Sequence, residues 1–373
     1  MKLFILGCGG FIGSHLLDRL LARPDIEIEG WDPDCSKIAG HIGHPRFTLH
    51  QTSCVDAVAI KTLEERLADA DALINLAAIC NPSQYNTHPL DVIRANLFES
   101  FPIVEMCARA NKWLIYFSTS EVYGRTLSSY SKTATDDPDL YELRENETPL
   151  IMGPVTNQRW TYAASKQMME RIVYAHHATT GMPFTIVRPL NFFGPRMDYI
   201  PRANGDAAPR VLACFMSALL RGEPMKLVDG GVAKRTIVAV EEAIEAIERM
   251  LDNPGSAKNK TFNLGNRANE VTMRELAETM REVYAEITGD PSYRNHPMID
   301  VSSADFYGPG YEDCDRRMPD MTQAQTQLNW QAKRNLRDIL LPTMRDYRER
   351  FMAEGQGGEP AAVAQTSDTE ACI

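Results

Sequence analysis

Tyr162 and Lys166 are the residues whose types and spacing point most directly to chemistry, within Arg159-Trp160-Thr161-Tyr162-Ala163-Ala164-Ser165-Lys166. Four residues apart on a helix, their side chains share one face. A phenol titrates near pH ~10 and is a poor base at neutral pH. A neighbouring ammonium favours the phenolate. Such a pair takes the proton of a substrate hydroxyl while hydride leaves the same carbon. A Tyr-x-x-x-Lys match also arises by accident in a chain of 373 residues, so its surroundings must decide.

Those surroundings begin at the N-terminus. Lys2–Leu6 reads as a buried strand and runs into Gly7-Cys8-Gly9-Gly10-Phe11-Ile12-Gly13. Ile12, Leu16, Leu17, Leu20 and Leu21 then recur at helical spacing. Strand, glycine turn and helix in that order form the setting of a dinucleotide fingerprint, with the pyrophosphate at the helix N-terminus. The spacing is Gly-x-x-Gly-x-x-Gly, and Ile12 occupies the last position of the G-x-G-x-x-G form. The bland alternative is a turn without a ligand. Ile26–Trp31 alternates and ends in Asp32, which suits a ribose diol and repels a 2′-phosphate. With no arginine close behind it, NAD is expected rather than NADP.

Arg46–Leu49, Ala72–Ala78, Leu114–Ser118 and Phe184–Arg188 read as further strands, with helices at Thr62–Leu67, Asp91–Ala110 and around Tyr162. This alternation predicts an α/β fold: a doubly wound parallel Rossmann sheet over residues 1–188, with a smaller C-terminal α/β substrate-binding region over 189–353. Interleaving of that region with the sheet is left open. Residues 354–373, rich in Gly, Ala and polar residues, read as a disordered tail. Beyond the strand ends, where open sheets bind ligands, stand Cys80 to Tyr85 and Thr119-Ser120-Glu121. Ser118, Thr119 and Ser120 also suit a simple turn cap, and Cys80 a small core residue. Ser128–Pro149 is polar and acidic and reads as a long surface loop serving as a flap. Lys226–Gly231 leading to Lys234-Arg235 looks like a hairpin; Val240–Leu251 and Thr272–Thr288 read as helices and Lys260–Asn266 as a strand.

A net charge of −11 argues against nucleic acid as a partner. No apolar run has the roughly 20 residues of a membrane span, and no signal peptide is evident. Eight scattered cysteines without a Cys-x-x-Cys suit a reducing, cytoplasmic setting. His41, His44 and His50 are irregularly spaced and read as surface histidines, so no metal is expected.

Taken together, Gly7-x-x-Gly10-x-x-Gly13, Asp32, Thr119–Gly124 and Tyr162-x-x-x-Lys166 resemble the extended short-chain dehydrogenase/reductase family. Within it the chain looks like the UDP-glucuronate decarboxylase group. The likeness extends to the UDP-apiose/UDP-xylose synthase branch and to the decarboxylase domain of the polymyxin-resistance protein ArnA. Asn75–Cys80, Asp136-Asp137-Pro138, Arg159-Trp160 and the stretch from Asp300 to Asp320 carry the likeness to the apiose/xylose branch. The resemblance implies that Gly7, Gly10, Phe11, Ile12, Gly13 and Asp32 hold NAD. It makes Tyr162 the base at C4 of the sugar, with Lys166 lowering its pKa and holding the nicotinamide ribose. Thr119 binds the substrate hydroxyl, and Glu121 and Arg317 match a pair used in decarboxylation. Tyr85, Arg159, Asn191, Lys226, Arg235 and Tyr311 match UDP-sugar contacts, and Arg210 a diphosphate or uridine contact.

Cys80 matches a cysteine of the apiose/xylose branch, whereas Ser120 stands where that branch carries a second cysteine. The position after the third strand, acidic in the family, reads as Ser53. The implied reaction is oxidative decarboxylation of UDP-glucuronate through a UDP-4-keto-pentose to UDP-xylose, UDP-apiose or both, in a homodimer. Release of the 4-keto-pentose, a UDP-sugar 4-epimerase or 4,6-dehydratase, and a non-catalytic NAD-binding protein are the other readings. Dehydratases of the family carry Asp-Glu where Ser120-Glu121 stands, and epimerases lack the Glu121/Arg317 pair.

Overall fold

The computed structural model describes residues 1–130, 137–201, 209–308, 312 and 314–356. Its centre is a seven-stranded sheet, parallel throughout. Five strands come early: β1 (Lys2–Leu6), β2 (Glu27–Trp31), β3 (Phe47–His50), β4 (Ala72–Asn75) and β5 (Trp113–Phe117). The spatial order is Lys260–Leu264, Phe184–Pro189, β5, β4, β1, β2, β3. The order in which strands are added therefore reverses between β1 and β4, the crevice where doubly wound sheets bind ligands.

Strand periodicity splits the core between the two faces. Leu3, Ile5, Ala72, Ile74, Trp113 and Ile115 pack on one side with α1 (Phe11–Leu21) and the helix Val240–Asp252. Phe4, Leu6, Leu73, Leu114 and Tyr116 pack on the other with Met169 and Val173 of the Tyr162 helix (Thr161–Thr180). A separate core gathers Leu212, Phe215, Met216, Leu227, Leu276, Met280 and Leu340 into a second lobe.

Several segments differ from the sequence reading. Lys260–Leu264 joins the main sheet by pairing with Phe184–Pro189, so the sheet continues past residue 188. Lys234–Thr236 is not half of a hairpin with Met225–Val228. It pairs antiparallel with Glu270–Thr272 and parallel with Arg316–Pro319, while Met225–Val228 pairs with Met298–Val301. Asp91–Ala110 is not one continuous α-helix. Pro89–Ile93 and Ser100–Arg109 flank a π turn at Arg94–Phe98. Pro102 explains the break, because it has no N–H to donate to Phe98 and its ring crowds that carbonyl. Part of the 128–149 segment is anchored rather than free, since Glu142–Leu143 pairs with Met318-Pro319. Of the segment 354–373 read as a disordered tail, the part from 357 on lies outside the described residues. No helix among the described residues is long and apolar enough to cross a membrane.

Candidate active site

A cavity of about 600 Å³ opens at the crevice between β1 and β4 and extends into the second lobe. Gly7, Gly10, Phe11, Ile12 and Gly13 line one end. The glycines there are required by geometry. Gly7 has φ +80°, and a Cβ on Gly13 would lie 2.4 Å from the Gly7 carbonyl oxygen. Gly10 caps α1 without any side-chain bond, so the first N–H groups of that helix face the cavity without intrahelical partners. Asp32 accepts from the N–H of Gly9 at 2.9 Å and of Asp34 at 2.9 Å, which fixes its carboxylate beside the turn although it does not line the cavity wall. The Ser118 hydroxyl borders the same space, buried and with no protein partner. Glycine cradle, open helix N-terminus, anchored carboxylate and unpaired hydroxyl fit a dinucleotide.

Cys80, Tyr85, Thr119, Ser120, Glu121, Arg159, Tyr162, Lys166, Asn191, Arg210, Lys226, Arg235 and Arg317 all line the cavity. Tyr311 lies outside the described residues. Each arrives by a local rule. Thr119 lies two residues past β5 and its hydroxyl accepts from the Glu121 N–H at 3.1 Å, starting the turn Ser120–Tyr123. The capping role and the cavity position thus belong to the same residue. Arg235 and Arg317 face each other in register on adjacent parallel strands. Arg210 precedes the helix Val211–Arg221, grips Asp198 through Nε and Nη2 at 2.7–3.2 Å, and lies over the Phe11 ring. Asn191, at φ 48°, donates to the Thr236 carbonyl at 2.8 Å.

The charged centre is compact. Arg159 holds Glu121 through two bonds of 2.5 and 2.7 Å, and Arg317 approaches the same carboxylate at 3.5 Å. Burial opposes the Glu121 charge, but Arg159 first, then Arg317 and Arg235, outweigh it and bring the carboxyl from 4.5 down to about 2. The Tyr85 ring stacks on Tyr162 at 5.1 Å and 10°, its hydroxyl donates to the Cys80 carbonyl at 3.1 Å, and the Arg159 guanidinium lies over it.

Tyr162 and Lys166 share a helix face, yet their electrostatics differ from the sequence expectation. Lys166 donates to the Phe117 carbonyl at 3.0 Å, and burial brings its pKa down from 10.5 to about 8. Burial drives the Tyr162 phenol well above 10, with Cys80 and Glu121 adding to the rise and the Thr119 hydroxyl opposing it. Desolvation of the phenolate dominates at Tyr162, and Lys166 directs its N–H at a backbone carbonyl.

Asn96 is a further contributor. From inside the π turn, fully buried, it donates to the carbonyls of Ile79 at 2.8 Å and Val92 at 2.9 Å, fixing the segment that presents Cys80 and Tyr85. An Asn six residues before a Pro within a helical run is the signal that marks it. Among the described residues no group of His, Cys, Asp and Glu is arranged to hold a metal. His41 pairs with Asp18 at 2.6 Å, and the half-buried His50 stacks on Trp31.

Residues 3–265 match the NAD dependent epimerase/dehydratase family. The chain belongs to that family. A UDP-D-apiose/UDP-D-xylose synthase of Oryza sativa subsp. japonica is 47% identical over 352 residues, covering 92% of this chain and 88% of the relative. UDP-D-apiose/UDP-D-xylose synthase 1 of Arabidopsis thaliana is 45% identical over 370 residues, covering 95% and 92%. Among solved structures, the PbgP3 protein from Burkholderia pseudomallei matches with a TM-score of 0.80 at 29% identity, covering 94% of this chain and 97% of that one.

Proposed function

We propose that the protein is an NAD-dependent decarboxylase of UDP-glucuronate, working through a UDP-4-keto-pentose to UDP-xylose, UDP-apiose or both. One observation carries the reading: the Tyr162/Lys166 pair and a carboxylate held by two arginines share a cavity with the dinucleotide turn. The cavity's charge supports it. Arg159, Lys166, Arg210, Lys226, Arg235 and Arg317 face Glu121, Asp229 and Asp315, six cations against three carboxylates, so the lining is about +3 in a chain of −11. That balance suits a diphosphate and a sugar carboxylate.

When bound, NAD supplies the acceptor for the hydrogen and electron pair that leave C4 of the sugar. Thr119 orients the C4 hydroxyl and Tyr162 takes its proton; the phenol, driven above 10 by burial, would be brought down by the positive charge of the oxidised nicotinamide together with Lys166. Lys166, protonated at neutral pH, holds positive charge within a helical turn of the phenol. The ketone at C4 lies β to the carboxylate on C5, so the carbon dioxide that departs leaves its electrons on the carbonyl oxygen. Arg317 and Arg159 together exceed the charge of Glu121 and hold the substrate carboxylate until it leaves. Ring contraction is the step that separates UDP-apiose from UDP-xylose. If ring contraction needs the second thiol of the apiose/xylose branch, the serine at position 120, which shares the lining with Cys80, favours UDP-xylose and the 4-keto-pentose.

The close identity to two plant UDP-D-apiose/UDP-D-xylose synthases supports the same reading. We further propose a cytoplasmic homodimer. Phe98 and Phe101 of one helical run and Met168 and Tyr174 of the Tyr162 helix expose large apolar side chains that a second copy would cover. The described cysteines are all free, as a reducing compartment allows. Incubation with NAD and, in parallel, UDP-glucuronate, UDP-glucose and UDP-galactose tests the activity by NMR. Carbon dioxide and a pentose nucleotide are expected from the first alone. Turnover of either neutral sugar without decarboxylation would establish the epimerase or dehydratase reading instead.

A further inference from the structure

The Tyr162 helix carries a second buried charge that the chemistry above leaves unused. Glu170 lies one turn beyond Lys166, with its side chain 8% exposed. Arg188, on the strand Phe184–Pro189, donates to both its oxygens, from Nε at 3.0 Å and from Nη2 at 2.6 Å. Its Nη1 donates to the Glu145 carbonyl at 3.0 Å, and the guanidinium lies over the Tyr123 ring, 4.6 Å from its centre. Tyr123 closes the turn that presents Thr119, Ser120 and Glu121, and its hydroxyl donates to Asn263 Oδ1 at 2.9 Å. Asn263 in turn donates to the Leu143 carbonyl at 2.8 Å. One guanidinium, carried by the strand second from the sheet edge, therefore touches the helix of the base and the turn that holds the hydroxyl-binding residue.

A buried ion pair is a weak device for stability alone, because apolar replacements of the same volume often do as well or better. Its position suggests another use. The groups facing Lys166 are Tyr162 and Glu170 from its own helix, the Tyr116 ring at 4.8 Å and the Phe117 carbonyl at 3.0 Å from β5, and Cys80 from the loop after β4. The Cys80 thiol, accessible from the cavity, is pushed up from 9.0 by desolvation there and stays neutral at pH 7. Glu170 is the charged group in this set, with Arg188, bound to both its oxygens, as the next charge beyond it.

We propose that Glu170 and Arg188 are positioning residues for the oxidation step, the pair locking the Tyr162 helix to the Thr119 turn while Glu170 supplies the counter-charge to Lys166. This rests on the function proposed above. Burial brings the Lys166 ammonium down to about 8, and Cys80 and then Glu170 oppose that fall; with the thiol neutral at pH 7, Glu170 is the opposing charge. Removing the carboxylate lets the ammonium lose its proton at lower pH.

The test is a carbon-13 NMR titration of Lys166 in the full-length protein, its signal assigned by its absence from Lys166→Arg. Glu170→Gln lowers the midpoint by about one pH unit, the size of one charge a helical turn away in a partly screened interior. Glu170→Asp keeps the wild-type midpoint. The double variant Glu170→Gln/Arg188→Met, which leaves no unpaired buried charge, melts near wild type and keeps the lowered midpoint. The alkaline limb of the rate of sugar oxidation moves by the same amount. A wild-type midpoint in a double variant that melts like wild type overturns the inference. Should the wild type oxidise a sugar other than UDP-glucuronate, the functional reading fails while the titration still decides this one.

Discussion

Replacing Glu121 by Gln isolates the charge at the centre of the site. Its carboxyl titrates at about 2 in the fold against 4.5 for an unperturbed group, because Arg159 and Arg317 outweigh the desolvation. A difference of 2.5 units corresponds to roughly 3 kcal/mol. Since the folded-state value is depressed, this contribution is fully present above pH ~4.5 and drains away as pH falls toward ~2. The same relation leaves roughly three-quarters of it at pH 4 and less than half at pH 3. Urea unfolding of wild type and Glu121→Gln, measured side by side from pH 7 to pH 3, gives the difference directly, and distant titrations cancel. The expected gap is about 3 kcal/mol at pH 7, closing as the solution is acidified. A gap that stays constant from pH 7 to pH 3, or is absent at pH 7, refutes the claim that the arginines hold a charged carboxylate.

Gly13→Ala places a methyl 2.4 Å from the Gly7 carbonyl oxygen and 2.6 Å from that of Cys8, so the turn must open; NAD affinity measured by calorimetry should fall at least about tenfold while the second lobe melts as before. Arg317→Ala should lower the rate of decarboxylation by about 100-fold or more with little change in NAD affinity. Equal losses in both quantities would count against its role at the substrate carboxylate.

The sheet and its cofactor turn were legible because short-range rules govern them. A period of two placed Leu3 and Ile5 opposite Phe4 and Leu6, and only glycine fits positions 7 and 13 of the turn. The cavity-lining set was legible through the family likeness, which gathered residues as distant as Tyr85 and Arg317. Two features escaped and one was left open, because local spacing does not convey them. Lys260–Leu264 joins the main sheet only through its pairing with Phe184–Pro189. The break at Arg94–Phe98 comes from a proline acting on a carbonyl four residues earlier, together with an asparagine bonded to the loop after β4. The upward shift of Tyr162 reflects burial, and spacing alone conveys only the neighbouring lysine.

The most direct test of the central claim uses UDP-glucuronate labelled with carbon-13 in its carboxyl group, incubated with NAD and either wild type or Tyr162→Phe. Wild type should release labelled carbon dioxide. Tyr162→Phe, with the same NAD affinity and melting temperature, should release it at least about 1,000-fold more slowly, since the phenol is the proton acceptor for the step that makes the carboxyl group labile. Equal release by both proteins, or none by a wild type that binds NAD and the labelled sugar, would contradict it.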